Sequence, residues 1–297
     1  MSLAYQIAKL AKQLCCYRAD PLQFFDEAAG ATLTKKEGEA RLVLTDTSTY
    51  LGDSTGAATG YWSSVAGGTG NTASDANATV AGGSGNTASQ ANTTVGGGQG
   101  NTASGDNATV AGGSSNQATG QSSTVGGGEA NVATGSGATV PGGIENSALG
   151  NFSVAIGASA TARHHGEFAQ AISPTNQRGQ MVMAAQTTNA TPTQATLDGS
   201  AFIVPTDNEV WRFRAGIAAR CVAASKAWAY DLEFAVTNFG GTLTQLGTTD
   251  VGFDKKTGST TWTASVYVSG DNVSITVTGA VGETVDWTVD FWYVKVG

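Results

Sequence analysis

A block of about fifteen residues recurs seven times through the middle of the chain, starting at Tyr50, Val65, Val80, Val95, Val110, Val125 and Val140. The clearest copy reads Val80-Ala81-Gly82-Gly83-Ser84-Gly85-Asn86-Thr87-Ala88-Ser89-Gln90-Ala91-Asn92-Thr93-Thr94. The last block, 140–153, is shorter and leads into Val154-Ala155-Ile156-Gly157. A unit this short cannot bury its own apolar side chains, so it must stack on its copies as a solenoid. A stack is a rod, and a rod separates two ends. Whatever the chain does is expected at those ends.

The strict register argues against disorder, because a disordered Gly-rich segment needs no valine every fifteen residues. Glycine is abundant at 41 residues but lacks the three-residue period of collagen. Each repeat predicts a short Thr-Val-Ala strand, a Gly-Gly turn, an Asn, a Thr-Ala-Ser strand and a second turn. Gly permits the positive φ of tight corners. Asn71, Asn86, Asn101, Asn116, Asn131 and Asn146 tolerate such turns and, stacked in register, are placed to form a hydrogen-bonded ladder.

The core of such a coil is thin. A repeat offers one Val and two or three Ala, with no Leu or Phe in the central copies. Burial of that size does not comfortably offset the ordering of fifteen residues. Partner chains on the outer faces would supply the missing burial, which predicts an oligomer, most simply a parallel homotrimer.

Charge excludes other roles. The net charge is −8, and no Lys or Arg lies between Arg41 and Arg163. A nucleic-acid binder needs a basic footprint, so no nucleic-acid partner is expected. No run of eighteen apolar residues predicts a membrane helix, and no membrane insertion is expected. Lys9 and Lys12 interrupt the apolar start, so no secretory signal is read there. Cys15, Cys16 and Cys221 make neither a disulfide framework nor a CxxC metal spacing, and no cofactor is implied.

Four segments follow. Residues 1–49 form an N-terminal attachment unit, with a helix over 2–17 on a Leu3, Ile7, Leu10, Leu14 seam and strands over 31–49. Residues 50–162 are the repeat shaft, 163–180 a neck and 181–297 a β-sandwich, jelly-roll-like tip. Alternation carries that last reading. Trp211, Phe213, Ala215, Ile217 and Ala219 share one face, with Arg212 and Arg214 opposite. Trp228, Tyr230, Leu232, Phe234 and Val236 repeat the pattern, as do Val285, Trp287, Val289, Phe291 and Tyr293. Cys221 continues the inward phase of its strand and reads as a small buried hydrophobe.

The segment Asn151-Phe152-Ser153-Val154-Ala155-Ile156-Gly157-Ala158-Ser159-Ala160-Thr161-Ala162 resembles the head repeat of trimeric autotransporter adhesins of the YadA type. That resemblance implies a left-handed parallel β-roll built by three chains. The other repeats depart from it, with Gly-Gly where the family often has Ile-Gly and fifteen residues in place of about fourteen. Such adhesins need a signal peptide and a membrane-anchoring barrel, and neither is read here. Similar repeats occur in phage tail fibres, and the C-terminal part is similar to the C-terminal domains of such fibres. The resemblance implies an all-β, homotrimeric fibre of a virion tail, made in the host cytoplasm. Its N-terminus would dock to a tail or baseplate protein, and its tip would bind a host surface glycan or protein receptor without catalysis. A capsid or cell-surface adhesin fibre and a glycan-degrading tailspike are the alternatives.

Candidate site residues are few. Trp292, Tyr267 and Trp62 fall out of phase with the core faces, and exposed aromatics stack on sugars or anchor interfaces. Loops at 239–242, with Phe239, and at 254–260 are candidates for recognition. For Trp292 the competing reading is packing against a neighbouring chain. His164 and His165 would ring the axis of a trimer and are the one candidate for a transition metal, against a plain polar neck. Asp231, Glu233, Asp250, Asp254, Asp286 and Asp290 are available to a hydrolase, but nothing marks a pair, and solvated strand charges explain them.

Overall fold

The computed structural model describes residues 32–36, 39–43, 49–50, 56–173, 176–196, 209–257, 261–269 and 272–296. The chain divides into two units, Met1–Ser48 and Thr49–Gly297. In the first, Thr32–Lys36 and Glu39–Val43 pair antiparallel on either side of Glu37 and Gly38. The helix expected over 2–17 lies outside the described residues, as do Cys15 and Cys16. Among the described residues every regular element is a strand.

The repeats coil into a parallel β-solenoid. Two-residue strands such as Thr79–Val80, Thr94–Val95 and Thr109–Val110 stack in one sheet, each paired with its counterpart fifteen residues on. Strands such as Thr72–Ala73, Thr87–Ala88 and Thr102–Ala103 stack in a second, eight-stranded sheet. A third line of single bridges joins Thr69, Ser84, Gln99, Ser114, Glu129 and Ile144, and this line was not expected from the sequence. The leading Val of each coil and the Ala of each Thr-Ala strand are fully buried. The interior therefore holds one Val, a few Ala and one Asn per coil.

That Asn makes the thin core possible. Asn86 donates from Nδ2 to the carbonyl of Gly82 in its own coil and to that of Gly98 in the next, both at 2.9 Å. Its Oδ1 accepts the backbone N–H of Asn101 at 2.9 Å. Asn71, Asn101, Asn116, Asn131 and Asn146 repeat the arrangement, all fully buried. Buried amides with their donors and an acceptor engaged stabilise rather than cost. The ladder is as expected, but the backbone assignment needs correction. The positive φ falls on a second series, Asn77, Asn92 and Asn107, at 57°, 58° and 60°. Those sit at exposed corners, where a left-handed residue turns the chain; the ladder residues aim inward beside a strand.

The fifteenth residue has a place. In most coils two glycines interrupt the chain after the Thr-Val strand. Gly83 has φ 93°, and a Cβ there would lie 2.1 Å from the carbonyl oxygen of Gly98. In the last coils the spacing falls to fourteen, with Gly143 opposite Gly157 and Ser147 opposite Thr161. Without the extra residue the strand runs unbroken as Val154–Ala158.

The solenoid does not stop at a separate domain. Phe168–Ser173 pairs parallel with Val154–Ala158 and antiparallel with Asn176–Thr187, so one hydrogen-bonded plane continues. Val285–Val296, Glu209–Cys221, Lys226–Phe239 and Thr242–Thr257 extend it in that order, completing a fifteen-stranded sheet. In place of the self-contained jelly-roll-like sandwich expected, this wide sheet and a three-stranded sheet of Thr193–Gln194, Asn272–Thr278 and Thr263–Ser269 share one core. Trp211, Phe213, Trp228, Phe234, Trp287, Phe291 and Tyr293 fill it from the wide sheet, and Val273, Ile275 and Val277 from the small one. The alternation predicted for these strands holds, with Cys221 a buried free thiol. The loop expected from 254 does not begin there: Thr242–Thr257 runs through Asp254, which pairs with Tyr230.

Candidate recognition surface

The outer face of the wide sheet gathers most of the exposed chemistry. Antiparallel pairing sets Gln180, Trp292, Arg214 and Glu233 in one row across four strands. Arg178, Val294, Arg212 and Ala235 form the next row, and Val182, Asp290, Gly216 and Asp231 the row on the other side. Trp292 is 47% exposed, and its indole Nε1 donates to Asp290 at 3.0 Å. Gln180 donates to the other oxygen of Asp290 at 2.8 Å. Arg214 bonds Asp231 at 2.8 Å, and Arg212 bonds Glu233. The hydrogen bond and charge of Asp231 push the Arg214 guanidinium above its ordinary range. The carboxylates are thus partners of arginines and amides on neighbouring strands. The sequence displayed Arg212 and Arg214 in one strand and Asp231 and Glu233 in the next, but only the register joins them.

Phe239 stands at the other limit of this sheet. It closes the hairpin between Lys226–Phe239 and Thr242–Thr257, the strand pair farthest along the sheet from the coils. It is 58% exposed beside Gly240 and Gly241, whose φ values of 65° and 76° turn the chain. On the same two strands the register shifts between Ala235 and Val236, and Leu246 is left exposed at the bulge. Arg212, Glu233, Phe234, Ala235, Leu246 and Gly247 line an open groove of about 350 Å³ there. Tyr267 is half-buried in the small sheet, opposite Ser274. Trp292, Phe239 and Tyr267 therefore lie on different elements and are not drawn into one site. Trp62 is exposed on the first coils, its ring tilted against that of Tyr61 with centroids 4.6 Å apart.

The histidines belong to the end of the solenoid. In the Thr-Ala sheet each coil donates strand N–H groups to the next, as Thr72 does to Asn86 at 2.8 Å. The second sheet ends at Thr161–Ala162, whose donors have no further coil to meet. Glu167 and Gln177 take its place. Glu167 Oε2 accepts from the backbone N–H of Arg163 at 2.7 Å and of His164 at 2.9 Å. Gln177 pairs with both N–H and C=O of Thr161, each at 2.8 Å. Tyr293 donates to Glu167 and accepts from Gln177. Burial, together with the Glu167 carboxylate, pushes the Tyr293 phenol far above its ordinary range. The ring of His165 meets Phe152 edge-on at 5.5 Å. Among the described residues no group of three or more His, Cys, Asp or Glu is placed to hold a metal ion.

No protein-family profile and no curated protein matches the chain. Among solved structures it is similar to a tailspike protein of Acinetobacter baumannii bacteriophage Fri1, a capsular polysaccharide depolymerase. The identity is 7% and the TM-score 0.26, over 77% of this chain and 56% of that one. A tailspike of Acinetobacter baumannii phage AM24 aligns at 8% identity and TM-score 0.23, over 79% and 49% of the two chains. The tailspike of Acinetobacter phage vB_ApiP_P1 gives 10% and 0.16, over 77% and 50%. The chain spans about half the length of these spikes. The expectation of a fibre without catalysis is withdrawn on this comparison, since the first of these spikes is an enzyme. Among the described residues no helix is long and apolar enough to cross a membrane.

Proposed function

We propose that the chain is a subunit of a homotrimeric phage-type tail fibre or tailspike that engages a host surface glycan. Its coils, read as a left-handed roll, are the spacer; residues 1–49 attach to the tail, and the far edge of the wide sheet meets the host. The observation that carries this reading is the strand order. It sets the Phe239 hairpin and its neighbouring groove on the strands most distant from the coils. An exposed aromatic at a glycine turn, and on the same strand pair a groove lined by Arg212, Glu233 and Leu246, suit the mixed apolar and hydroxyl surface of a sugar. Three such tips on one rigid stem would bind with avidity.

The test uses the full chain and purified surface polysaccharides of candidate hosts. Binding that falls at least tenfold in Phe239→Ala supports the reading; binding to no polysaccharide, or binding untouched by substitutions at Phe239 and Leu246, overturns it. Reducing ends measured in the same incubations decide whether the bound polymer is also cleaved.

A further inference from the structure

We infer that the outer face of the wide sheet, from the Thr-Val strands of the coils through Trp292, is the surface by which copies of this chain pack against each other. The inference rests on the multichain reading above and adds the face responsible.

On the coils this face is uncharged. Its outward residues are Ser64, Thr79, Thr94, Thr109, Thr124 and Thr139, with Ala66, Ala81, Gly96, Ala111, Gly126 and Pro141 two places on. The described acids of the coils, Asp75, Asp106, Glu129 and Glu145, lie elsewhere, at corners and on the third line. In a chain of net charge −8, such a strip lets copies approach without repulsion. The Thr-Ala sheet is equally uncharged, so the strip alone does not choose. Its continuation does. Phe168, Val182, Trp292, Val294 and Val210 are all exposed on the strands that follow, and Ile172 is 81% exposed.

The polar groups among them are already engaged. Arg214 with Asp231, Gln180 and Trp292 with Asp290, and Arg178 with Gln170 at 2.9 Å close on one another within the sheet. A sugar is recognised through free donors and acceptors, which this face spends internally. What faces outward is apolar and locally charge-balanced, the character of a subunit contact. Size agrees. Seven coils at about 4.8 Å make a strip about 34 Å long. With the apolar patch, the face is on the order of 800 Å², the share each partner buries in a standard specific interface. An in-register copy also matches the fifteen-residue Thr spacing rung for rung.

The test is absolute mass by light scattering. The wild type should have a mass of about three times 29.9 kDa. Val182→Arg and Thr109→Lys, both at outward positions, should fall to the mass of one chain with unchanged circular dichroism. Thr102→Lys, on the Thr-Ala sheet, should keep the wild-type mass. A monomeric wild type overturns the multichain reading and this inference together. A multimeric wild type that survives both Val182→Arg and Thr109→Lys, or that is broken by Thr102→Lys alone, overturns this face and leaves the multichain reading standing.

Discussion

The hydroxyl of Tyr293, three residues from the last described position, donates to the buried carboxylate of Glu167, 126 residues earlier, at the closed end of the solenoid. That bond ties the final strand of the wide sheet to the acceptor that finishes the coils. Tyr293→Phe removes the hydroxyl and leaves Glu167 and Gln177 each short of a partner. An unmet buried polar group costs about 1–3 kcal/mol, so a loss of that size is expected in chemical denaturation. Glu167→Ala, which also strands the N–H groups of Arg163 and His164, should cost more.

Alkaline pH should separate the same variant from the wild type. The native phenol of Tyr293 holds its proton well above the ordinary value of 10.0, whereas the unfolded phenol releases it near that value. Above pH 10 the unfolded state therefore binds fewer protons than the native one, and stability falls as pH rises. Below pH 10 the contribution is constant. Denaturation midpoints measured from pH 8 to 11.5 should decline in the wild type and decline less in Tyr293→Phe.

Two neighbouring glycines should answer differently to substitution. Gly83→Ala puts a Cβ about 2.1 Å from the carbonyl of Gly98 at φ 93°. The Gly98 backbone and the buried Asn86 amide leave no room to relax, and a loss above about 3 kcal/mol is expected. Gly85 has φ 66° and open space around it, and the equivalent places in later coils hold Ser115, Ala130 and Glu145. Gly85→Asn should shift the midpoint by less than about 0.5 kcal/mol. Thermal melts of the two variants are sufficient.

The ladder can be tested in its middle. Asn101→Ala removes at once a bond from each of the carbonyls of Gly97 and Gly113 and from the N–H of Asn116. Water cannot easily reach them, and a loss of about 3 kcal/mol or more follows. Asn92→Ala, at an exposed corner whose amide bonds only its neighbours in the outer series, should cost about 1 kcal/mol or less. Hydrogen exchange should show the Asn101 lesion spreading to adjacent coils.

Local pattern made the coils and the aromatic strands legible, because each depends on residues close in sequence. Val at every fifteenth place and Trp or Phe at every second place report burial directly. Two Asn series in one repeat look alike on paper. Only the inward or outward aim of the backbone distinguishes Asn101 from Asn107. The cap was hidden for a different reason. Glu167 and Tyr293 meet through the pairing of Asn176–Thr187 with Val285–Val296, and no short-range pattern announces a contact at that separation. The same holds for Arg214 and Asp231, where alternation assigns a face but not a partner. Phe239 was legible because a Phe-Gly-Gly turn between two alternating runs is local.

The rung-for-rung pairing of the coils makes the stack a modular ruler. Every interior rung presents the same donors and acceptors to its two neighbours, and the last described rung of the Thr-Ala sheet is finished by side chains. Whole units of fifteen residues can therefore be duplicated or lost between Thr72 and Ala133 without redesigning either terminus of the stack. The length of the stack then changes in fixed increments of about 4.8 Å, set by copy number alone.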